Sequence, residues 1–436
     1  MMKRWVSGVW VMSWALCVTS IAGADETSIA SDKAELQVLK ARLEKLEQKV
    51  ADQEATSSGA TPGNAVLQMP GGLHGVQMSG FVDVSGHYNF NAPQSSSTTR
   101  LNTLRVFDTQ ANSVMVNNAE LVLEKPVSSD SPLGFKTALM FGTDAEVVGA
   151  VTTGLGLGTD ELDVKDAYVD YLVPLGEGLD VKLGKFATMH GAEVIESKDN
   201  WNVTRSFLFG FAIPFTHTGV RMTYPLASWL SATLGVDNGW DVVDDNNQGK
   251  TIETSVTITP VSNGSLTVNY MGGPEQTNSN SNQRNLIDIV ASYQPIDPLQ
   301  LKLNFDYGTE QKGVLLSRDN ASWVGLAGYA RYAINDWWAL ASRLEWFHDA
   351  DGVRTAFNPA AVGTNALNGV TGTDLNLWEI TLTNEFKLNK HLIGRLEYRH
   401  DQASEWVFAR GDIGQDALVG RRPYQDTVSV EFIAPF

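Results

Sequence analysis

Charged residues recur at two-residue spacing within segments that alternate polar and apolar side chains. Asp83, Glu120, Asp166 and Asp170 hold the polar phase early in the chain; Arg331, Arg343, Arg395 and Arg399 hold it late, interleaved with Glu345, Glu379 and Glu397. Residues two apart on a strand face the same side. If these strands enclose a lumen, opposed walls of unlike sign would set a transverse field that orders water and discriminates against apolar solutes. The competing reading is local pairing along the wall, Arg343 with Glu345 and Arg395 with Glu397, which only keeps the lumen wet.

A second chemical feature is the connection from Phe186 to Phe215, which carries Phe207, Leu208, Phe209, Phe211, Ile213, Pro214 and Phe215. An apolar run of that kind is costly in water and must fold against something. The inner face of a barrel is the nearest shelter; the rim or a subunit interface would also serve. This third long connection is the candidate constriction, and its charges Glu193, Glu196, Asp199 and Arg205 would then stand in the narrowest passage.

Other titratable groups carry less. His190 and His217 flank that connection, but a hydrolase would need a Ser or Asp beside such a histidine, and no ordered signature supplies one. The acidic stretch Asp237–Asn247 lacks the ligand spacing and central glycine of a calcium loop and reads as a solvated loop. No catalytic motif, metal site or cofactor site is expected.

The elements that position these residues are strands. From Val76 to Phe436 two-residue alternation dominates, in sixteen segments. They are Val76–Tyr88, Val114–Lys125, Phe135–Phe141, Leu162–Val173, Leu179–Lys185, Thr216–Tyr224, Leu230–Val236 and Thr251–Thr259 in the first half. Leu266–Tyr270, Leu286–Tyr293, Leu299–Tyr307, Trp323–Ile334, Trp338–Phe347, Leu377–Leu388, Leu392–Tyr398 and Gln425–Phe436 complete the set. Short turns such as PLGEG, PLAS, QPIDP and NKH alternate with long polar connections such as NGWDVVDDNNQG and GGPEQTNSNSNQ. That is the layout of an outer-membrane β-barrel, and an even strand number puts both barrel ends on the periplasmic side. Aromatics on the apolar face cluster at strand ends, as two interfacial girdles require. Tyr88, Tyr270, Tyr307, Trp346, Trp378 and Tyr398 fall at loop ends; Tyr171, Tyr224, Tyr293, Tyr332, Trp338 and Phe386 fall at turn ends. The final strand closes on Phe436 in phase with Val428, Val430, Phe432 and Ala434, like the signal that barrel assembly machinery reads during biogenesis.

The N-terminus has a different organisation. Lys3 and Arg4, an apolar stretch from Val6 to Ile21 and the Ala22-Gly23-Ala24 site read as a signal peptide over 1–24, so the mature chain is expected to start at Asp25. Cys17, the only cysteine, lies inside it. Over residues 31–54, Leu36, Leu39, Leu43, Leu46 and Val50 make the a/d seam of a short coiled coil expected in the periplasm. Residues 55–75 are Gly-, Ser-, Thr- and Pro-rich and read as a linker, and 76–436 as the barrel. A formal charge of −18 argues against nucleic-acid binding.

The segments NNAELVLEKP, DAYVDYLVPLG, LGKFATMHGAEVIESKDNWN, TRSFLFGFAIPFTHTGVRMTYPL, LGVDNGWDVVDDNNQGKT, NYMGGPEQ and LEYRHDQ together resemble the β-barrel porins of the OmpL-like type. The resemblance covers nearly all of the chain after the linker and implies an outer-membrane channel, with trimer the expected oligomer. It names no solute and brings no catalytic motif. The reading is therefore an all-β transmembrane antiparallel barrel of about 16 strands. It would sit in outer-membrane lipid and pass small hydrophilic solutes or ions passively. The alternatives are a structural barrel with a plugged lumen anchoring its coiled coil, and an outer-membrane hydrolase.

Replacing Leu39, Leu43 and Leu46 with Ser should weaken homo-oligomer association while the barrel still folds, because the ladder closes without the helix. Chemical crosslinking of the purified protein checks this; an unchanged oligomer would show that the coiled coil does not join subunits.

Overall fold

The computed structural model describes residues 67–68, 75–93, 102–149, 161–314, 317–355, 373–411 and 421–436. The expected signal peptide and coiled coil lie outside the described residues. The strands are β1 (Gln77–Asn89), β2 (Ser113–Lys125), β3 (Leu133–Phe141), β4 (Leu162–Val173), β5 (Leu179–Ala187), β6 (Thr216–Ala227), β7 (Leu230–Asp237) and β8 (Thr251–Val261). The wall continues through β9 (Gly264–Pro274), β10 (Gln283–Ile296), β11 (Leu299–Glu310), β12 (Ala321–Ala333), β13 (Trp338–Asp349), β14 (Leu375–Asn389), β15 (Leu392–Ala403) and β16 (Tyr424–Pro435). Each pairs antiparallel with the next, and β16 pairs with β1 from Thr427↔Asn89 to Pro435↔Phe81, closing a 16-strand barrel without a free edge. Every alternating segment of the sequence became one of these strands, with ends that differ by a few residues.

The burial pattern identifies the solvent. On β14 the exposed phase is Trp378, Ile380 and Leu382, while Glu379, Thr381 and Thr383 are buried. On β15 Leu396 and Tyr398 are exposed and Arg395, Glu397 and Arg399 buried. A water-soluble sandwich of the same alternation does the reverse, because burying apolar area is what stabilises it. Exposure of the apolar phase around the ring means that hydrocarbon is the outer medium, and the closed ladder pairs the strands' N–H and C=O groups within the wall.

The aromatic girdles hold. At the loop ends Trp346 stands opposite Trp378 across β13 and β14, and Tyr88, Tyr270, Tyr307 and Tyr398 are exposed. At the turn ends Trp337, Trp338 and Phe386 stack with ring centroids 6.1–6.4 Å apart, and Tyr171, Tyr293 and Tyr332 are exposed.

The C-terminal residue is built into closure. Gly80 N–H donates to Phe436 O at 3.0 Å and Phe436 N–H to Gly80 O at 2.9 Å. The Phe436 ring lies over Gly80, where a Cβ would stand 2.6 Å from its Cζ. Gly80→Ala and deletion of Phe436 should therefore each lower the yield of heat-modifiable barrel in outer membranes. Yields equal to wild type for both, read as the mobility shift on unboiled gels, would show that this contact does not drive closure.

Candidate functional site: the lumen wall and the third loop

Two β-bulges decide which charges face inward. Between β3 and β4 the register shifts after Ala138↔Asp166 to Leu139↔Val164, leaving Lys165 as the extra residue. A bulge re-aims side chains, so Lys165 and Asp166 are both buried in the lumen although neighbours on a regular strand face opposite sides. Between β1 and β2 the shift from Asp83↔Asn118 to Val84↔Val116 does the same for Asn117, whose Nδ2 donates to Asp83 Oδ2 at 3.1 Å. Lys165 is a lumen cation that parity alone misses. It pairs with Glu120 at 3.1 Å and with Glu196 of the third loop.

The third loop, residues 188–215, lies inside the wall and is held through its backbone. Glu397 on β15 accepts from Val203 N–H at 2.6 Å and Thr204 N–H at 3.0 Å. Glu345 on β13 accepts from Phe207 N–H at 2.7 Å and Leu208 N–H at 2.5 Å. On the facing side Asp288 accepts from Gly191 N–H at 3.0 Å and Asn304 from Ala192 N–H at 2.9 Å. Arginines bind the carbonyls: Arg395 donates to Ser197 O and Asn200 O, Arg399 to Arg205 O, and Arg343 to Thr204 O. The loop thus spans the lumen from β13–β15 to β10–β11.

Closure places β15 two strands from β1, so Arg395 and Arg399 stand on the same side as Asp83, and the expectation of opposed walls is corrected for those residues. Arg331 on β12 stands across the ring from Asp166 and Asp170 on β4. Arg343 and Arg395 do not pair with Glu345 and Glu397 two positions along their own strands, whereas Arg399 does pair with Asp401 on its own strand. Arg343 pairs with Glu379 at 2.5 Å and Glu193 at 2.7 Å, Arg395 with Glu385 at 2.9 Å and Glu431 at 3.0 Å, and Arg331 with Glu385 at 2.7 Å. Arg399 takes Asp401 at 2.6 Å. Cross-strand neighbours lie closer than i, i+2 neighbours, and Glu345 and Glu397 are occupied by loop amides. Of the loop's own charges, Glu193 and Glu196 are engaged in these contacts and the Arg205 guanidinium donates to Val203 O and Ile195 O, while Asp199, 39% exposed, pairs with Lys198 at 2.6 Å. Asp170 faces inward on β4 near the turn end.

Other loops follow the third one in. Phe107 of the first long connection packs on Phe209 and Phe215 at centroid distances of 5.7 and 5.5 Å. Arg105 is buried between Asp108 and Asp401; burial works against its charge, but the two carboxylates hold its pKa above the usual range. A short helix α1 (Thr143–Gly149) buries Ala145 and Val148 in the same apolar cluster. The acidic stretch Asp237–Asn247 is not a solvated loop. Trp240, Val242 and Val243 are buried, and Asp241 accepts from Phe215 N–H at 2.6 Å and Thr216 N–H at 3.0 Å. Burial pushes the Asp241 carboxyl up to about 6 despite those donors.

His190 and His217 come together at the base of the third loop, with Glu253 of β8 within 4.8 Å of both through their ligand atoms. Thr188 Oγ1 lies 3.1 Å from His190 Nδ1 and from His217 Nε2. Burial holds His190 down to about 4. A cavity of about 240 Å³ lies alongside, lined by Thr188, His190, Glu193, Glu196, Phe209 and Phe215 among others.

A closed 16-strand wall that is apolar outside, charged within and threaded by its own third loop defines a porin-type outer-membrane barrel. The chain belongs to the family described as "Putative beta-barrel porin-2, OmpL-like", whose model matches residues 75–436. Solved structures share the fold at low identity. An anion-selective porin from Comamonas acidovorans is 13% identical with a TM-score of 0.53, over 83% of this chain and 99% of that one. OprB of Pseudomonas putida is 12% identical with a TM-score of 0.51, over 83% and 94%. The trimer form of OmpT, an outer membrane protein of Vibrio cholerae, is 11% identical with a TM-score of 0.50, over 83% and 99%. No curated protein matches the sequence.

Glu345→Ala would strip two buried loop amides of their acceptor, a cost of about 1–3 kcal/mol for each orphaned donor. Hydrogen exchange should then speed up for residues 203–212 while the strand amides stay protected. Exchange at those loop amides unchanged from wild type would show that the carboxylate does not hold the loop.

Proposed function

We propose that this barrel is a passive diffusion channel for small hydrophilic solutes or ions in the outer membrane, narrowed by its third loop. The observation that carries the reading is the loop's backbone tied to inward carboxylates on β13 and β15 at one side and to Asp288 and Asn304 at the other. A loop held on both sides leaves solutes only the space beside it. On the turn side of the lumen, charged groups remain partly accessible: Lys136 at 24%, Lys182 at 30% and Asp180 at 32% side-chain exposure. These groups, with Arg331 and Asp199, are the wetted charges a permeating ion would meet. Asp83, Glu120, Asp166, Arg343, Arg395 and Arg399 act instead as the wall that holds the loop. Family membership supports a channel over an enzyme. The short turns face the periplasm in this reading, and the trimer form reported for the Vibrio cholerae protein supports a homo-oligomer here.

One observation favours a second reading. Phe107, Phe207, Leu208, Phe211, Trp323 and Phe347 form an apolar cluster within the barrel, and a cluster that filled the whole section would leave a structural, plugged barrel.

Deleting Asn202–Ile213 should raise single-channel conductance severalfold in planar bilayers, and Asp199→Asn should shift the reversal potential toward anions under a salt gradient. Glu193→Gln and Glu196→Gln should shift it less, because their side chains, paired with Arg343 and Lys165, are more buried than that of Asp199, whose partner Lys198 is itself partly exposed. A wild-type protein without conductance, opened by the deletion, would establish the plugged barrel; equal conductance in both would remove the loop from the passage.

A further inference from the structure

We propose that His190, His217 and Glu253 form a binding site for a divalent first-row transition metal ion, zinc being the probe of choice, which would pin the base of the third loop to the wall. The three residues come from different elements: His190 from the loop, His217 from β6 and Glu253 from β8. Their ligand atoms lie within 4.8 Å of one another and all three side chains are buried. Two imidazoles and a carboxylate are the donor set that zinc accepts, and three protein ligands leave a fourth position open.

Hydrogen bonding prepares the nitrogens. His217 Nδ1 lies 3.4 Å from Gly239 O, a group that only accepts, so Nδ1 carries the proton and Nε2 the lone pair. The Thr188 hydroxyl then donates to His217 Nε2 and accepts from His190 Nδ1, each at 3.1 Å. That chain leaves the second lone pair on His190 Nε2, which is buried and has no hydrogen-bond partner among the described residues. A buried, unpartnered imidazole nitrogen is costly unless something binds it. The ordering of each ring through its other nitrogen is what metal-ligating histidines use. On taking the ion, His217 Nε2 exchanges the Thr188 proton for the metal.

The wall makes room for the carboxylate. A Cβ at Gly235 would stand 2.3 Å from Glu253 Oε1, so only glycine there lets Glu253 lie as it does. Arg221 binds both oxygens of Glu253, at 2.6 and 3.0 Å, and occupies one lone pair on each, leaving the others for a ligand bond. The adjacent acid Asp237 has neither oxygen hydrogen-bonded among the described residues.

The test uses the refolded full-length mature chain in detergent, titrated calorimetrically with Zn²⁺ and, separately, with Mg²⁺. The expected result is a single tight Zn²⁺ site per chain, no Mg²⁺ uptake and a raised unfolding temperature with Zn²⁺. His190→Gln should abolish the site, and Thr188→Val should weaken it about tenfold by releasing the rings. A variant with His348, His391 and His400 changed to Asn should keep it, which separates this site from surface histidines. His190 lies in a loop rather than in the ladder, so its variant reports on the metal even if His217→Gln folds poorly; heat-modifiability verifies folding for each. No Zn²⁺ binding by wild type, or binding by His190→Gln equal to wild type, would overturn the proposal. A conductance result in either direction leaves this test unaffected.

Discussion

Everything in this barrel depends on the closed ladder having no water on one side. Strand N–H and C=O groups in hydrocarbon must be satisfied within the wall, and only a closed ring achieves that. Once β16 meets β1, the apolar phase of each strand is given to lipid and the polar phase has nowhere to go but inward. Much of the wall's inner face is therefore made of carboxylates, arginines, lysines and amides. Such groups are stable there only when each is matched, because an unpaired buried charge costs far more than a pair yields.

Matching the wall is what the inward loops do. The carboxylates of Glu345 and Glu397 have no arginine of their own within salt-bridge reach among the described residues; they take backbone amides of the third loop instead. Charge-assisted bonds from N–H to carboxylate are among the stronger ones available. The arginines take the complementary share, binding loop carbonyls while pairing with Glu379, Glu385, Glu431 and Asp401. The loop's side chains can then be apolar, since its polar groups are already satisfied by the wall. That accounts for Phe207, Leu208 and Phe209 following one another in a segment enclosed by charge.

The fold was legible because period-two alternation is a local property, and the girdle aromatics mark where each strand leaves the hydrocarbon. The inward face of Asp83, Glu120, Arg343, Arg395 and Arg399 was legible for the same reason. Lys165 was not: a bulge shifts phase by one residue, and nothing in LDVKDAYVD announces which residue is the extra one. The arginine partners were hidden too, because they depend on register between strands distant in sequence. Opposition across the lumen failed on topology for Arg395 and Arg399. Sequence order places acids early and arginines late, but a ring has no ends, and closure sets first and last strands side by side. The inward course of the first connection left only the faint sign of Val106 and Phe107 within a polar run.

The density of matched charge has a consequence for how the third loop can move. Releasing one end would orphan either the Glu345 and Glu397 carboxylates or the loop amides they hold, and water would have to enter to replace them. Contacts on β10 and β11 through Asp288 and Asn304 hold the loop's first part separately from those on β13 and β15. Between them Arg395 holds Ser197 O and Asn200 O, Arg343 pairs with Glu193 and Lys165 with Glu196, so the segment between Ala192 and Val203 is held as well. Asp199, the loop acid most open to water, lies in that segment. The wall thus fixes the loop along its length, while the partly exposed Asp199 is matched by its neighbour Lys198 at 2.6 Å.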